Sequence, residues 1–164
     1  MFNKFISYIK FKTFHAIVLY TMALFFLTSC NVANNQLIIY NNDNKVIASF
    51  PINKNDFFSI GFIHSVNNSP VIEYYNFDKN KNLYVFKTIY YNYGAGVETS
   101  IQDNEVLKYG DDGSMIIDNM HRKIENLTYY LSSIHDHILK INDGNEISLW
   151  KYCGKNSIIT IKIK

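Results

Sequence analysis

The sequence predicts an all-β domain, an antiparallel β-sandwich, with a small closed β-barrel as the alternative. From Leu37 onward, short apolar runs alternate with clusters rich in Asn, Asp, Gly and Lys, which is the spacing of antiparallel strands and their turns. The 164 residues include 13 tyrosines and 12 phenylalanines, and together with abundant isoleucine these suit a pleated, half-buried surface. The only two prolines, Pro51 and Pro70, both fall at expected strand ends, where a missing N–H is tolerated.

The first strand is expected over 37–40, a Leu-Ile-Ile-Tyr run closed by the turn residues Asn41 to Asn44. The second, 45–50, stops at Pro51. A third, 57–66, alternates Phe58, Ile60, Phe62, His64 and Val66 on one face, and a fourth, 71–77, does the same with Val71, Glu73, Tyr75 and Phe77. After the polar stretch Asp78 to Asn82 a fifth runs over 83–93, up to Gly94. Apolar runs bounded by polar clusters then place strands at 115–117, 124–131, 138–141, 146–152 and 157–164. No repeat and no low-complexity segment interrupts the pattern.

The first thirty residues have a different composition. Lys4, Lys10 and Lys12 precede an apolar run from Phe14 to Leu27, shorter than the roughly 20 residues a spanning helix needs. This is the layout of a cleaved export signal. Leu27-Thr28-Ser29-Cys30 resembles the lipobox of bacterial lipoproteins, and the resemblance implies that Cys30 becomes the first mature residue and carries a diacylglyceryl group. Two acyl chains give stable anchoring where one is marginal. The expected organisation is a signal peptide over 1–29, a lipidated cysteine and tether over 30–36, and one β domain over 37–164. The expected location is the extracytoplasmic face of the cell membrane. Removing 1–29 takes away three lysines and no acid, so the net charge falls from +2 to 13 minus 14, or −1. Arg122 is the only arginine, and the electrostatic footprint of a nucleic-acid binder is missing.

The hairpin between the third and fourth strands carries the chemistry. With Asn67-Asn68-Ser69-Pro70 as its loop, Val66 faces Val71 and His64 lies opposite Glu73, their Cβ atoms about 4.5 to 5.5 Å apart. A carboxylate and an imidazole on an apolar face must satisfy each other, because desolvating either alone costs several kcal/mol. Counting on through a five-residue loop at 78–82 sets Lys87 opposite Glu73 as a third member. Gly94-Ala95-Gly96 permits positive φ or a close backbone approach, so it suits a bulge, a turn or a loop presenting N–H groups to an anion.

Phe58-Ser-Ile-Gly-Phe-Ile-His-Ser-Val, with Pro70-Val71-Ile72-Glu73 and then Gly94-Ala95-Gly96, closely resembles the bacterial family catalogued as domain of unknown function 1850, over roughly 57–164. The chain has Val97-Glu98 where the family usually has an aliphatic residue and proline. The resemblance implies a small exported or membrane-tethered domain, accessory to a tripartite ATP-independent periplasmic (TRAP) transporter of the TAXI type, with a permease or solute-binding protein as partner. It assigns no activity. It marks His64, Ser65, Pro70, Glu73 and Gly94 to Gly96 as functional or architectural residues.

Other clusters are weaker. His135 and His137, two apart on an extended segment, share one side, a spacing that zinc or copper can use but that lacks a third ligand. His121 reads as a surface residue, Cys153 as an inert thiol in a turn, and Glu105, Asp111 and Asp112 as a solvated loop. The expected function is a non-enzymatic, membrane-anchored accessory or binding module without a cofactor. The alternatives are a metal-dependent envelope hydrolase built on His64, His135, His137 and Glu73, and a structural or adhesion lipoprotein.

Overall fold

In the computed structural model the described residues are 35–92 and 100–164. Their strands are β1 (Asn35–Asn41), β2 (Val46–Ile52), β3 (Phe58–His64), β4 (Ser69–Phe77), β5 (Leu83–Tyr90), β6 (Val106–Tyr109), β7 (Met115–Asp118), β8 (Arg122–Ile124), β9 (Leu127–Leu131), β10 (Ile138–Ile141), β11 (Ile147–Ser148) and β12 (Ser157–Ile163). One short helix, α1 (Leu149–Cys153), precedes β12. Cys30 and the signal-like segment, and Gly94, Ala95 and Gly96, lie outside the described residues.

The strands form two antiparallel sheets, one in the order β2-β1-β12-β9, the other β11-β10-β3-β4-β5-β7-β6 with β8 also paired to β5. The sheets are not closed into a barrel, and the arrangement is the sandwich the alternating pattern predicts. Leu37, Ile39, Ile159 and Ile161 of the first sheet join Phe58, Ile60, Ile117 and Leu139 of the second in one buried core. Each such side chain contributes about 1.5 to 3 kcal/mol by leaving water.

The turns explain the abundance of asparagine. Among the described residues, the non-glycine positions with positive φ are Asn44, Asn68, Lys81, Asn104, Asn119, Asn142 and Asn156, and asparagine tolerates the left-handed region better than most side chains. Strand ends differ from expectation by a few residues, with β2 running through Pro51 to Ile52 and β5 ending at Tyr90, and three departures change the elements themselves. The 124–131 run is two strands, because the chain leaves the second sheet after Ile124 and joins β12 of the first from Leu127, with exposed Glu125 and Asn126 making the crossing. The 146–152 run gives only β11 before turning into α1. Ser148 caps this helix by accepting from the Lys151 N–H, and Gly154 ends it at φ 74°. Val106–Tyr109 forms an edge strand beside β7 where no strand is expected. Its short, mostly exposed sequence carries too little apolar signal. Among the described residues no helix is long and apolar enough to cross a membrane.

Candidate functional site

Two local features set which side chains meet. The β3–β4 turn falls at 65–68, two residues earlier than expected, closed by the Asn68 N–H donating to the His64 carbonyl at 2.8 Å. Asn68 takes the left-handed conformation that ends this turn, at φ 49°. Ser69 and Pro70 are therefore part of β4, with Pro70 opposite Ile63. His64 faces Ser69, and Glu73 faces Ile60, so the expected direct His64–Glu73 pair is not formed. The shift moves the register by four positions and keeps both residues on the same face of the sheet.

The expectation for Lys87 also fails, for a different reason. The loop after β4 sits where expected and pairs Phe77 with Leu83, but a bulge intervenes between Tyr75↔Val85 and Tyr74↔Lys87. The extra residue is Phe86, whose carbonyl accepts the Met120 N–H at 2.9 Å. One inserted residue reverses which face each later side chain takes. Thr88 lies opposite Glu73, and Lys87 is on the outer face with its Nζ 3.9 Å from the centre of the Tyr74 ring.

Glu73 finds other partners. Its neighbours across the strands, Ile60 and Thr88, are almost fully buried, so its carboxylate points into the sandwich. There Tyr129 Oη lies 2.5 Å and Tyr75 Oη 2.9 Å from Glu73 Oε2, and the two hydroxyls are 2.8 Å apart. Tyr129 comes from β9 of the opposite sheet, so this cluster ties the two sheets together through a charge-assisted hydrogen bond. Burial foremost, and then neighbouring ionisable groups with Glu73 among them, push both phenols above the usual tyrosine range. Both act as donors.

The Tyr129 ring also forms part of a wall. It lies 5.8 Å from Phe62 and 5.4 Å from His137, while Phe62 and His137 stack at 5.3 Å with their planes 12° apart. These rings border a cavity of about 640 Å3, which His64, Ser65, Ile134 and His135 also line. It runs along the side where β9, the edge of the first sheet, meets the end of β3. His137 is 8 % exposed, and burial pushes its imidazole below the usual histidine range against the opposing pull of Asp136. His137 is therefore neutral at pH 7. Nδ1 of His64 and Nδ1 of His137 are both shut away from solvent without a hydrogen-bond partner, which leaves Nε2 as the nitrogen each ring can present to the cavity.

Asp136 holds His137 in place. Its Oδ1 accepts the His137 N–H at 2.7 Å and the Trp150 N–H at 3.0 Å, and its Oδ2 accepts Ser148 Oγ at 2.5 Å. The His137 carbonyl in turn accepts the Leu149 N–H at 2.9 Å. One carboxylate thus fastens the start of β10 to the first turn of α1. The sequence marks His135-Asp136-His137 only as a candidate metal pair, and carries no sign of this clamp because Ser148 and Trp150 lie more than ten residues away.

His64, His135 and His137 line one cavity, but Glu73 is engaged by the two tyrosines. Among the described residues no three His, Cys, Asp or Glu side chains are grouped to hold a metal ion. Elsewhere, His121 stacks on Tyr84 at 4.4 Å. Glu105 pairs with Arg122 at 2.6 Å. Cys153, a free thiol at the end of α1, is pushed up in pKa by burial.

The family model described as Domain of unknown function (DUF1850) matches residues 58–149, more than half of the 164 residues. The chain belongs to this family. The matched stretch runs from the first residue of β3 to the first residue of α1 and holds the Glu73 cluster, the three cavity histidines and Asp136. No curated protein and no solved structure matches the chain.

Proposed function

We propose that the chain is an extracytoplasmic binding or accessory module, anchored to the membrane through a lipid on Cys30 and associated with a TRAP transporter of the TAXI type, not an enzyme. The observation that carries this reading is the cavity beside Phe62, His64, Tyr129 and His137 and its distance from the chain's attachment. Gln36, the last residue of the expected tether and part of β1, pairs with Lys164 at one end of the first sheet, while Ser157 pairs with Leu131 at the other. Seven residues of extended strand separate these levels, roughly 23 Å at about 3.3 Å per residue. Ile134, at the cavity's rim and 75 % exposed, lies three residues beyond Leu131. A rim this exposed suits a partner in the aqueous phase, which favours the solute-binding protein over the embedded permease.

Two measurements test the proposal. Intact mass of the mature chain should show a diacylglyceryl-modified Cys30 as first residue. A free Cys30, or retention of residues 1–29, would overturn the anchor. A photo-crosslinking residue at Ile134 should capture a transporter component, while one at Lys54, outside the cavity, should not. Equal capture at both positions, or at neither, would overturn the association.

A further inference from the structure

The nitrogen atoms of the cavity, taken with its charges, point to a class of ligand, an inference that rests on the binding-module reading above. Nδ1 of His64 and of His137 is sealed from solvent with no partner. A buried N–H without an acceptor is rarer in folded proteins than an under-used lone pair, so the unpartnered Nδ1 atoms place a ring proton on Nε2. That nitrogen is the one left to the cavity. The cavity therefore presents two N–H donors. Ile138 pairs with Gly61, which places His137 beside Phe62, and His64 follows Phe62 by two residues on the same strand, about 7 Å along it. One small molecule can span both donors.

Among the described residues no Lys, Arg, Asp or Glu lines the cavity, so the described surroundings offer no carboxylate, lysine or arginine to pair with a fixed charge on that molecule. An anion moved into this site loses its hydration without a cation to replace it, and a cation meets two donors that repel it. The walls are Phe62, Tyr129 and Ile134, which favour a planar apolar body.

We infer that the cavity binds an uncharged, ring-bearing small molecule through an oxygen acceptor, such as an amide or ketone carbonyl, held by the Nε2–H groups of His64 and His137. Partial binding energy comes from the acceptor bonds and the rest from ring contact.

Three probes of one size but different charge test it: benzamide, benzoate and benzylammonium, titrated at millimolar concentration into the full chain while the histidine ring resonances are followed by NMR. Benzamide should shift the His64 and His137 signals and bind at least about tenfold more tightly than either charged probe. The nitrogen shifts should show Nε2–H in both rings. His137→Phe keeps the stack on Phe62 and removes the donor, so benzamide affinity should fall roughly three- to tenfold; His64→Phe gives a second, independent reading of the same loss. Tighter binding of benzoate or benzylammonium, or an Nδ1–H pattern, would overturn the ligand class while leaving the cavity as the binding site. If none of the three probes perturbs either histidine, the cavity as a small-molecule site is overturned, while the Ile134 crosslink decides the binding-module reading separately.

Discussion

Tyr129→Phe removes one oxygen and leaves the ring, so it isolates the hydrogen bond that joins the two sheets. The lost contact is the 2.5 Å donation to Glu73 Oε2, and the carboxylate keeps the Tyr75 hydroxyl at 2.9 Å. A hydrogen bond to a charged group is worth about 1.5 to 3 kcal/mol. The ring contacts with Phe62 and His137 persist, so no cavity cost is added. We expect a loss of about 2 kcal/mol, which at a urea m-value of about 2 kcal/mol/M lowers the unfolding midpoint by about 1 M. Glu73→Gln keeps the shape and can still accept a weaker neutral bond, at a cost of about 1 kcal/mol. The double variant should lose less than the sum, with a coupling of at least about 1 kcal/mol. Equilibrium urea unfolding followed by intrinsic fluorescence measures all four proteins. A midpoint shift below about 0.2 M for Tyr129→Phe, or strict additivity in the cycle, would refute the role assigned to this cluster.

The same tyrosines set an alkaline limit. Both have folded pKa values raised above the usual 10, so their contribution is constant below pH 10, where folded and unfolded chains alike keep these protons. Above it only the unfolded phenols ionise, and stability should fall by about 1.4 kcal/mol per pH unit for each tyrosine, about 3 kcal/mol for the pair. Thermal unfolding between pH 9 and 11.5 should show this slope, reduced by one tyrosine's share in Tyr75→Phe; an unchanged slope would contradict it. Asp136→Ala strips the acceptor from the His137 and Trp150 N–H groups and from Ser148 Oγ, and should cost about 1 to 3 kcal/mol while broadening the His137 ring signal. Full stability in that variant would show that the clamp is idle.

The fold class was legible in the sequence because a sandwich announces itself in two-residue periodicity and regular turns, and those signals are local. The 58–64 and 71–77 alternation correctly places His64 and Glu73 on the same inner face. Their partners were not legible, since partners depend on where a turn closes. Asn67-Asn68-Ser69-Pro70 looks like a loop by composition, yet Pro70 is tolerated inside β4, and the left-handed Asn68 closes the turn two residues early. Lys87 shows a second limit. The loop before it was read correctly, and a single bulged residue, Phe86, then reversed its face. Bulges have no strong signature in one sequence, and this one coincides with the break between β7 and β8, a feature of the neighbouring strands. Tyr75 could have been paired with Glu73 from their i, i+2 spacing. Tyr129, 56 residues away, could not.

The residues of the hairpin motif do converge, through a ring and not through direct contact. Glu73 holds the hydroxyl end of Tyr129, whose ring face meets Phe62 and His137 at the cavity wall, while His64 reaches that cavity from the end of β3. Tyr129 therefore serves the core with one end and the site with the other, and the two duties can be separated. Tyr129→Phe should weaken the sandwich yet leave benzamide binding within about threefold, because the ring wall survives. Tyr129→Ala removes the wall as well, and binding should be lost along with a stability cost of about 3 to 5 kcal/mol. Equal binding losses in the two variants, measured below the unfolding temperature of each, would mean that the hydroxyl itself contacts the ligand and that Glu73 belongs to the site directly.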